Sequence, residues 1–281
     1  MKKTALFWEK QGNGVQCNLC PNFCLLAEGQ AGKCQKRVNK NSTLFAENYA
    51  QTISLQLDPM RKKPLYHFYP DDSILSLGAN SCNLSCLFCQ NYSSSQVLCD
   101  TLLLPPDALL NYCQQNKIRH VAFTYTEPFT WFEYIYDSAL LLQEAGISVV
   151  LVTNGYVNPE PLQLLLPHVS AMNIDLKAFS ESFYADVCGG KLQPVLDTIA
   201  MTHNKAHIEI TLLLIETLND NPADLEEMFS FISSLNPDIP LHISRYFPRY
   251  KMLLPTTSIN LLHTTAKLAK RYLNYVYLGN V

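Results

Sequence analysis

The sequence predicts an α/β protein, a partial (βα)6 TIM-like barrel preceded by a small cysteine-rich module. From residue 73 onward, short aliphatic or β-branched runs alternate with helical patterns, which is typical of parallel strands joined by crossover helices. Six such units can be counted, and a closed barrel of this kind has about eight. Before residue 73 the pattern changes to a segment with cysteines and glycines. We therefore place the cysteine-rich module and a β extension at 1–72 and the barrel at 73–281.

Each predicted strand is a short apolar run, and each predicted helix opens on proline or ends near glycine or a polar residue. The predicted strands cover 73–79, 120–126, 147–153, 171–177, 207–215 and 241–247, with a late edge strand at 275–279. The predicted helices cover 105–117, 130–145, 159–166, 190–204, 222–235 and 256–272. Any reactive site should lie at the carboxyl ends of the strands, where parallel barrels carry their active sites.

The amino-acid composition excludes several classes of protein. The 281 residues are 48% hydrophobic and 16% charged, with a net charge of -3, which suits a folded protein and gives no basic face for nucleic acid. The Arg61-Lys62-Lys63 cluster is interpreted as a solvated loop. The apolar runs are far shorter than a membrane span, so we expect a cytoplasmic protein that has no anchor or signal peptide and binds no membrane.

Cysteine is unusually frequent, with ten residues in the chain. Seven of them form two tight groups, and the other three, Cys99, Cys113 and Cys188, stand alone. Close spacing of this kind gathers thiolates around a metal centre. The three isolated cysteines are interpreted as small buried hydrophobic residues.

The second cysteine group lies in "NSCNLSCLFCQN", directly after the first predicted strand, and contains Cys82, Cys86 and Cys89. Three thiolates on a [4Fe-4S] cluster leave one iron without a protein ligand. A zinc site would need a fourth ligand, and none lies close in the sequence; unrelated buried thiols are the other alternative. The Cys-x3-Cys-x2-Cys spacing, with Phe88 just before the third cysteine, resembles the signature of the radical S-adenosylmethionine (SAM) superfamily.

That resemblance implies a catalytic [4Fe-4S] cluster on the three cysteines, with SAM bound to the open iron through its amino and carboxylate groups. One-electron reduction would then cleave SAM to methionine and a 5'-deoxyadenosyl radical. "TYTEPF" at 124–129 stands where the superfamily usually has a SAM-binding Gly-Gly-Glu-Pro stretch; the glycines are replaced here and Glu127-Pro128 is kept. "VTNGY" at 152–156 and "NIDLKAF" at 173–179 resemble SAM-binding stretches of the pyruvate formate-lyase-activating branch. The cofactor-binding residues so implied are Phe88, Asn91, Thr126, Glu127, Pro128, Thr153, Asn154, Asp175, Lys177 and Glu209.

Within this set, Glu127 is assigned to the SAM amino group, because a carboxylate suits an ammonium. Lys177 is assigned to the SAM carboxylate and Asp175 to a hydroxyl or a cation. Val152 occupies a position where the activating enzymes carry an aspartate, so their monovalent-cation site is not carried over.

The resemblance covers essentially the whole chain and is most specific to the AmmeMemoRadiSam-system radical SAM enzymes, relatives of glycyl-radical-enzyme activases. It rests on "DPMRKKPLYHFYPDDSILSLGANSCNLSCLFCQNYSSSQ", "HISRYFPRYKM" and "YVYLGNV". It implies an anaerobic radical SAM oxidoreductase, a flavodoxin- or ferredoxin-type reductant, and a glycyl radical enzyme as the protein substrate. The alternatives are modification of a small molecule or peptide side chain and, in a different class, a non-catalytic iron-sulfur electron carrier.

The first cysteine group, Cys17, Cys20, Cys24 and Cys34, offers four ligands, which is typical of a closed site. Nearby Gly29 and Gly32 permit the tight turns that such a site needs. The spacing matches neither a simple zinc ribbon nor a ferredoxin run. Zinc and a second iron-sulfur cluster therefore remain as two alternatives of equal weight.

Overall fold

The computed structural model describes residues 2–281. Its strands are β1 (Lys3–Thr4), β2 (Trp8–Gln11), β3 (Gly14–Cys17), β4 (Leu25–Leu26), β5 (Arg37–Lys40), β6 (Thr43–Ala46), β7 (Gln51–Thr52), β8 (Ser54–Pro59), β9 (Ser73–Gly78), β10 (Leu102–Leu103), β11 (His120–Phe123), β12 (Ser148–Thr153), β13 (Ala171–Asp175), β14 (His207–Leu214), β15 (Leu241–Arg245) and β16 (Val276–Gly279). Its α-helices are α1 (Tyr92–Ser95), α2 (Pro106–Gln115), α3 (Phe132–Glu144), α4 (Pro159–Leu165), α5 (Glu181–Phe183), α6 (Gln193–Thr202), α7 (Pro222–Leu235) and α8 (Ile259–Ala269).

The main sheet has eight strands in the order β16-β15-β14-β13-β12-β11-β9-β8. All neighbouring pairs from β9 to β16 are parallel, and β8 alone pairs antiparallel, with β9. The six predicted βα strands and the late edge strand all form, as parts of one curved sheet. The predicted partial barrel is therefore confirmed.

The main helices also form where predicted, α7 with the predicted bounds and the other five slightly shorter. Proline occupies the first turn of α2, α4, α6 and α7, where its missing N–H costs nothing. Asn221 caps α7 by accepting from the Ala223 N–H at 2.9 Å, and Ser258 caps α8 by accepting from the Leu261 N–H at 3.3 Å. These caps fix where each crossover helix begins, and so where the strand before it must end.

The predicted division at residue 72 differs from the structure. β8 lies within residues 1–72 but belongs to the barrel sheet, because it supplies hydrogen bonds to the otherwise open edge of β9. The chain after β8 then enters the base of the barrel. Its Met60 and Leu65 pack in a cluster of buried apolar residues together with Ile74, Ala122, Val150 and Ala171. Residues from about 54 onward are therefore part of the barrel.

The remaining N-terminal part is made of small antiparallel sheets, β1-β6-β5 and β2-β3-β4, while β7 pairs with β10. It is attached to the barrel by a buried ion pair between Arg37 and Glu133 of α3, both about 1% exposed. None of the helices described over residues 2–281 is long and apolar enough to cross a membrane.

Candidate active site

The three-cysteine loop follows β9 and is held in place by its neighbour in space, the segment at 184–188. The N–H groups of Ser85 and Leu87 each donate at 2.9 Å to carbonyls of that segment, those of Cys188 and Val187. The next two residues are glycines that approach the loop closely. A Cβ at Gly189 would lie 2.5 Å from Ser85 Oγ, and one at Gly190 would lie 2.5 Å from Leu84 Cδ2. The loop is thus seated by backbone contacts that only glycine allows.

The thiols of Cys82, Cys86 and Cys89 line one cavity of about 460 Å³. Asn154 Nδ2 lies 3.7 Å from Cys82 Sγ, and Ser95 Oγ lies 3.2 Å from Cys89 Sγ. Burial raises the pKa of Cys82 and of Cys89. Three thiols that face one cavity and meet polar donors fit a cluster with one iron open to the cavity.

An additional cysteine, Cys188, lies beside this site. A hydrogen bond between its thiol and Cys86 lowers the pKa of Cys86 and, together with burial, raises the pKa of Cys188. The sequence interpretation of Cys188 as a buried thiol before a tight turn agrees with its zero exposure and with the left-handed Gly189, at φ 69°. Its contact with a cluster ligand is visible only in three dimensions.

Seven of the ten predicted cofactor-binding residues line the same cavity as the thiols. They are Phe88, Asn91, Thr126, Thr153, Asn154, Asp175 and Lys177. They come from the loop and from the carboxyl ends of β11, β12 and β13, as parallel strands require. The structure therefore brings the thiols and most of the predicted SAM contacts to one place.

Glu127 and Pro128 are placed differently from the prediction. Glu127 is 1% exposed and lies behind the cavity wall, where its carboxylate accepts from the Phe129 N–H at 3.0 Å, the Thr153 hydroxyl at 2.8 Å and the Asn154 N–H at 2.8 Å. Burial raises its pKa to about 7, against the lowering effect of these donors. Pro128 is also buried, in the short turn that follows. Glu127 therefore positions the end of β12, and the structure places neither residue on the cavity surface.

Tyr125, between β11 and Glu127, stands where the superfamily pattern has a glycine, and its backbone conformation is one that favours glycine. Its φ is 67°, in the left-handed region that glycine adopts without strain. Its hydroxyl donates to Asp58 Oδ2 at 2.8 Å, and Lys63 Nζ lies 4.6 Å from the centre of its ring. The Tyr125 carbonyl accepts from Asn91 Nδ2 at 2.6 Å. These contacts hold the strained backbone in position at the cavity.

Asp175 and Lys177 form an ion pair at the end of β13, with 2.8 Å between Oδ2 and Nζ. Burial alone would lower the pKa of Lys177, but Asp175 and the nearby cysteine thiols raise it well above its usual value. The ammonium also lies 5.9 Å from the centre of the Phe88 ring. Lys177 is thus a buried, permanently charged group facing the cavity, which suits a carboxylate ligand.

Glu209 is also placed away from the cavity. Its oxygens accept from the N–H groups of Tyr66 and His67, at 2.9 and 2.7 Å, and pair with His207 and His242, at 3.0 and 2.6 Å. All its acceptor positions are therefore occupied at the base of the barrel. The structure therefore does not bring Glu209 to the cavity with the other predicted cofactor-binding residues.

Lys63 was missed by sequence reasoning, which interpreted its cluster as a solvated loop. It is 3% exposed, lies 2.7 Å from Asp58 Oδ2 and lines the cavity, as does Lys62. Desolvation lowers the pKa of Lys63 even though Asp58 opposes that shift. A charged run gives no sign of burial unless the acidic partner five residues earlier is recognised.

The open parallel barrel carries three thiols at the carboxyl end of its first parallel strand, where enzymes of this fold place their active sites. The radical SAM superfamily model matches residues 77–232, and the chain belongs to this superfamily. An uncharacterized protein of Methanocaldococcus jannaschii, MJ0808, is 39% identical over 99% of this chain and 85% of that protein.

Solved structures share the fold. A domain of pyruvate-formate lyase-activating enzyme from Bacteroides vulgatus has a TM-score of 0.50 and 21% identity, over 57% of this chain and 98% of that one. SuiB of Streptococcus suis, bound to S-adenosylmethionine, has a TM-score of 0.57 and 14% identity, over 73% of this chain and 51% of that one. QueE of Escherichia coli has a TM-score of 0.50 and 13% identity, over 82% of this chain and 93% of that one. The radical SAM superfamily implies a [4Fe-4S] cluster and SAM, and the donor set above fits both.

Proposed function

We propose that this protein cleaves SAM reductively and uses the resulting 5'-deoxyadenosyl radical to abstract a hydrogen atom from a partner protein, in the manner of a glycyl-radical-enzyme activase. The observation that carries the proposal is the convergence of Cys82, Cys86 and Cys89 with Lys177 on one cavity. When bound, the cluster supplies one electron and an open iron to which SAM is coordinated.

The chain's own residues would bind SAM and orient it. Lys177, held by Asp175, is suited to the carboxylate of SAM. Thr153 and Asn154 are fixed by Glu127, and Asn154 also bridges to the loop through Asn83 Oδ1 at 3.0 Å. The buried base of the barrel excludes water from below. The groups that face SAM are therefore preorganised by contacts that lie behind them.

The size of the cavity supports a macromolecular substrate. SAM has about 27 non-hydrogen atoms and is a ligand of drug size. Pockets that bind such ligands have volumes of ~300–1,000 Å³. The cavity of about 460 Å³ also borders the cluster position, so SAM accounts for most of it. A substrate must then enter from the open side, as an exposed loop of a folded partner can. The radical would act on the inserted backbone.

A cytoplasmic location is part of the proposal. Ten cysteines in the described chain are free, and cluster ligands must stay reduced before the cluster is inserted. A low-potential protein of the flavodoxin or ferredoxin type would supply the electron.

The experiment is an anaerobic assay of the reconstituted protein with SAM and dithionite, in which 5'-deoxyadenosine is measured. The wild-type chain should form it, Cys86→Ala should form none, and Cys113→Ala, which changes a buried cysteine outside the site, should keep the wild-type rate. A glycyl-radical EPR signal in a protein that co-purifies with the chain would support the activase assignment. Formation of 5'-deoxyadenosine without such a signal in any co-purifying protein would favour a smaller substrate, and equal rates for Cys86→Ala and wild type would overturn the radical SAM chemistry.

A further inference from the structure

The N-terminal cysteine group is defined as Cys17, Cys20, Cys24 and Cys34. Burial and the nearness of the other thiols of the group raise the pKa of Cys17, Cys20 and Cys34. Each sulfur also meets a backbone N–H. The donors belong to Leu19 for Cys17, Asn22 for Cys20, Lys33 for Cys24, at 3.4 Å, and Lys36 and Arg37 for Cys34. N–H donors to sulfur stabilise thiolates and tune metal-thiolate centres.

The same local geometry recurs at the three-cysteine loop. Cys17, Cys20 and Cys34 each accept from the N–H two residues further along the chain, and so do Cys82, from Leu84, and Cys89, from Asn91. The backbone of the N-terminal group is therefore shaped around its sulfurs in the way that the loop is. Thiols that served only as core residues would not need these donors.

A buried cation accompanies the group. Arg37 Nη1 lies 3.8 Å from Cys17 Sγ. Burial raises the pKa of Cys17 and of Cys34, and the charge of Arg37 opposes that rise. Its Nε has no hydrogen-bond partner among the residues that the structure describes, although the side chain is buried. A guanidinium in this place stabilises negative charge on the sulfurs, which a metal centre with four thiolates would carry.

The nature of the metal follows from position. Four thiolates can hold either zinc or a four-iron cluster. A contact between the N-terminal group and the three-cysteine loop favours the cluster, because a structural zinc site has no use for a path to the loop.

That contact is a single side-chain amide. Asn22 Nδ2 lies 3.6 Å from Cys20 Sγ and donates to the Asn83 carbonyl at 2.8 Å. Asn83 is the residue next to Cys82, so the path from Cys20 Sγ to Cys82 consists of two hydrogen-bond contacts of the Asn22 amide and the backbone of Asn83. Asn158 further ties the turn before Cys20 to the chain after β12, by its N–H to the Leu19 carbonyl at 3.1 Å and its Nδ2 to the Asn18 carbonyl at 2.7 Å.

The outer side of the N-terminal group is open. Phe23 and Leu25, which flank Cys24, are exposed, by 48% and 60%. An exposed apolar patch at the edge of a redox centre suits a docking protein. The group thus has one side toward solvent and one side toward the loop.

We propose that the N-terminal group holds a second [4Fe-4S] cluster through which electrons enter the enzyme; this rests on the radical SAM function proposed above. A reduced protein of the flavodoxin or ferredoxin class would give one electron to this cluster, reducing it from the 2+ to the 1+ state. Cys20, Asn22 and Asn83 would then form the path by which the electron passes to the loop cluster, with return of the second cluster to 2+. Each transfer moves one electron and no atom.

The test compares reductants on the reconstituted holoenzyme. Asn22→Leu should keep dithionite-driven formation of 5'-deoxyadenosine near the wild-type rate, because a small reductant reaches the loop cluster directly, and should lose at least about tenfold with reduced flavodoxin, which is ~1.4 kcal/mol. Asn18→Leu is the matched control, since its side chain faces Glu9 at 3.4 Å and not the loop. Equal flavodoxin-driven rates for Asn22→Leu and wild type overturn the electron path.

Metal analysis tests the centre itself. Wild-type protein should hold about eight irons, and the variant with all four N-terminal cysteines changed to Ser should hold about four, since each cluster contains four irons. One equivalent of zinc with about four irons in the wild type overturns the second cluster. The four-Ser variant should still cleave SAM when dithionite is the reductant. A wild-type protein that fails to cleave SAM with dithionite would contradict the radical SAM function and not the entry centre.

Discussion

Glu127→Gln isolates one buried carboxylate behind the SAM site. Burial raises the pKa of Glu127 from 4.5 to about 7, so the folded chain binds this proton more tightly than the unfolded chain does. The wild-type free energy of unfolding should therefore contain a contribution that is fully present below pH 4.5 and is lost as the pH rises through 7. One pKa unit corresponds to about 1.4 kcal/mol, which gives about 3 kcal/mol over this window. A glutamine has nothing to titrate.

The assay is urea unfolding of the cluster-free protein at pH 4.5, 6 and 8, followed by tryptophan fluorescence, to which Trp131, a buried residue four positions from Glu127, contributes. The stability of Glu127→Gln relative to the wild type should rise by about 3 kcal/mol from the lowest to the highest pH. Other titrating groups are shared by both proteins and cancel. Glu160→Gln, at an exposed glutamate in α4, should follow the wild type throughout.

The same Glu127→Gln change that raises relative stability at high pH should weaken SAM binding. A glutamine amide has one acceptor where Glu127 has two oxygens that together serve three donors, so one N–H or O–H at the end of β12 loses its partner. An unpaired donor costs about 1–3 kcal/mol, and we expect SAM to bind about tenfold more weakly. Parallel pH profiles for Glu127→Gln and the wild type would refute the reasoning.

Three further changes test the rest of the site. Lys177→Met should weaken SAM binding by about 2 kcal/mol or more, because it removes a buried charge; wild-type affinity in a calorimetric titration would contradict the role of Lys177. Cys188→Ala should lower the reduction potential of the loop cluster by on the order of 40 mV, as one hydrogen bond to Cys86 is lost, whereas Cys113→Ala should leave it unchanged in a redox titration. Glu209→Gln should keep SAM affinity within about twofold. Burial alone would raise the pKa of Glu209, but His207 and His242 hold it at about 2. The wild type should therefore lose about 3 kcal/mol of its free energy of unfolding as the pH falls from 4.5 to 2, a loss that Glu209→Gln should not show. A tenfold loss of SAM affinity in Glu209→Gln would restore its assignment as a cofactor-binding residue.

Much of the fold could be predicted because local patterns specify it. The apolar runs that form β9 and β11 to β15 lie within the predicted bounds, since buried parallel strands are continuous apolar runs. β8 could not be assigned to the barrel in the same way. Three of its six residues are exposed and only one is buried, and it gains its place by pairing with the edge of β9, a contact that no local pattern specifies.

The sequence by itself determined the superfamily, because the number and spacing of Cys82, Cys86 and Cys89 match the radical SAM signature. Only the tertiary structure decided which groups face the cavity. Glu127 and Glu209 form hydrogen bonds and ion pairs with other parts of the chain, away from the cavity surface. Lys63, which belongs to a charged run, lines the cavity. The reason is physical: a motif fixes residue types along the chain, whereas burial, register and the pairing of charges depend on segments far apart in sequence.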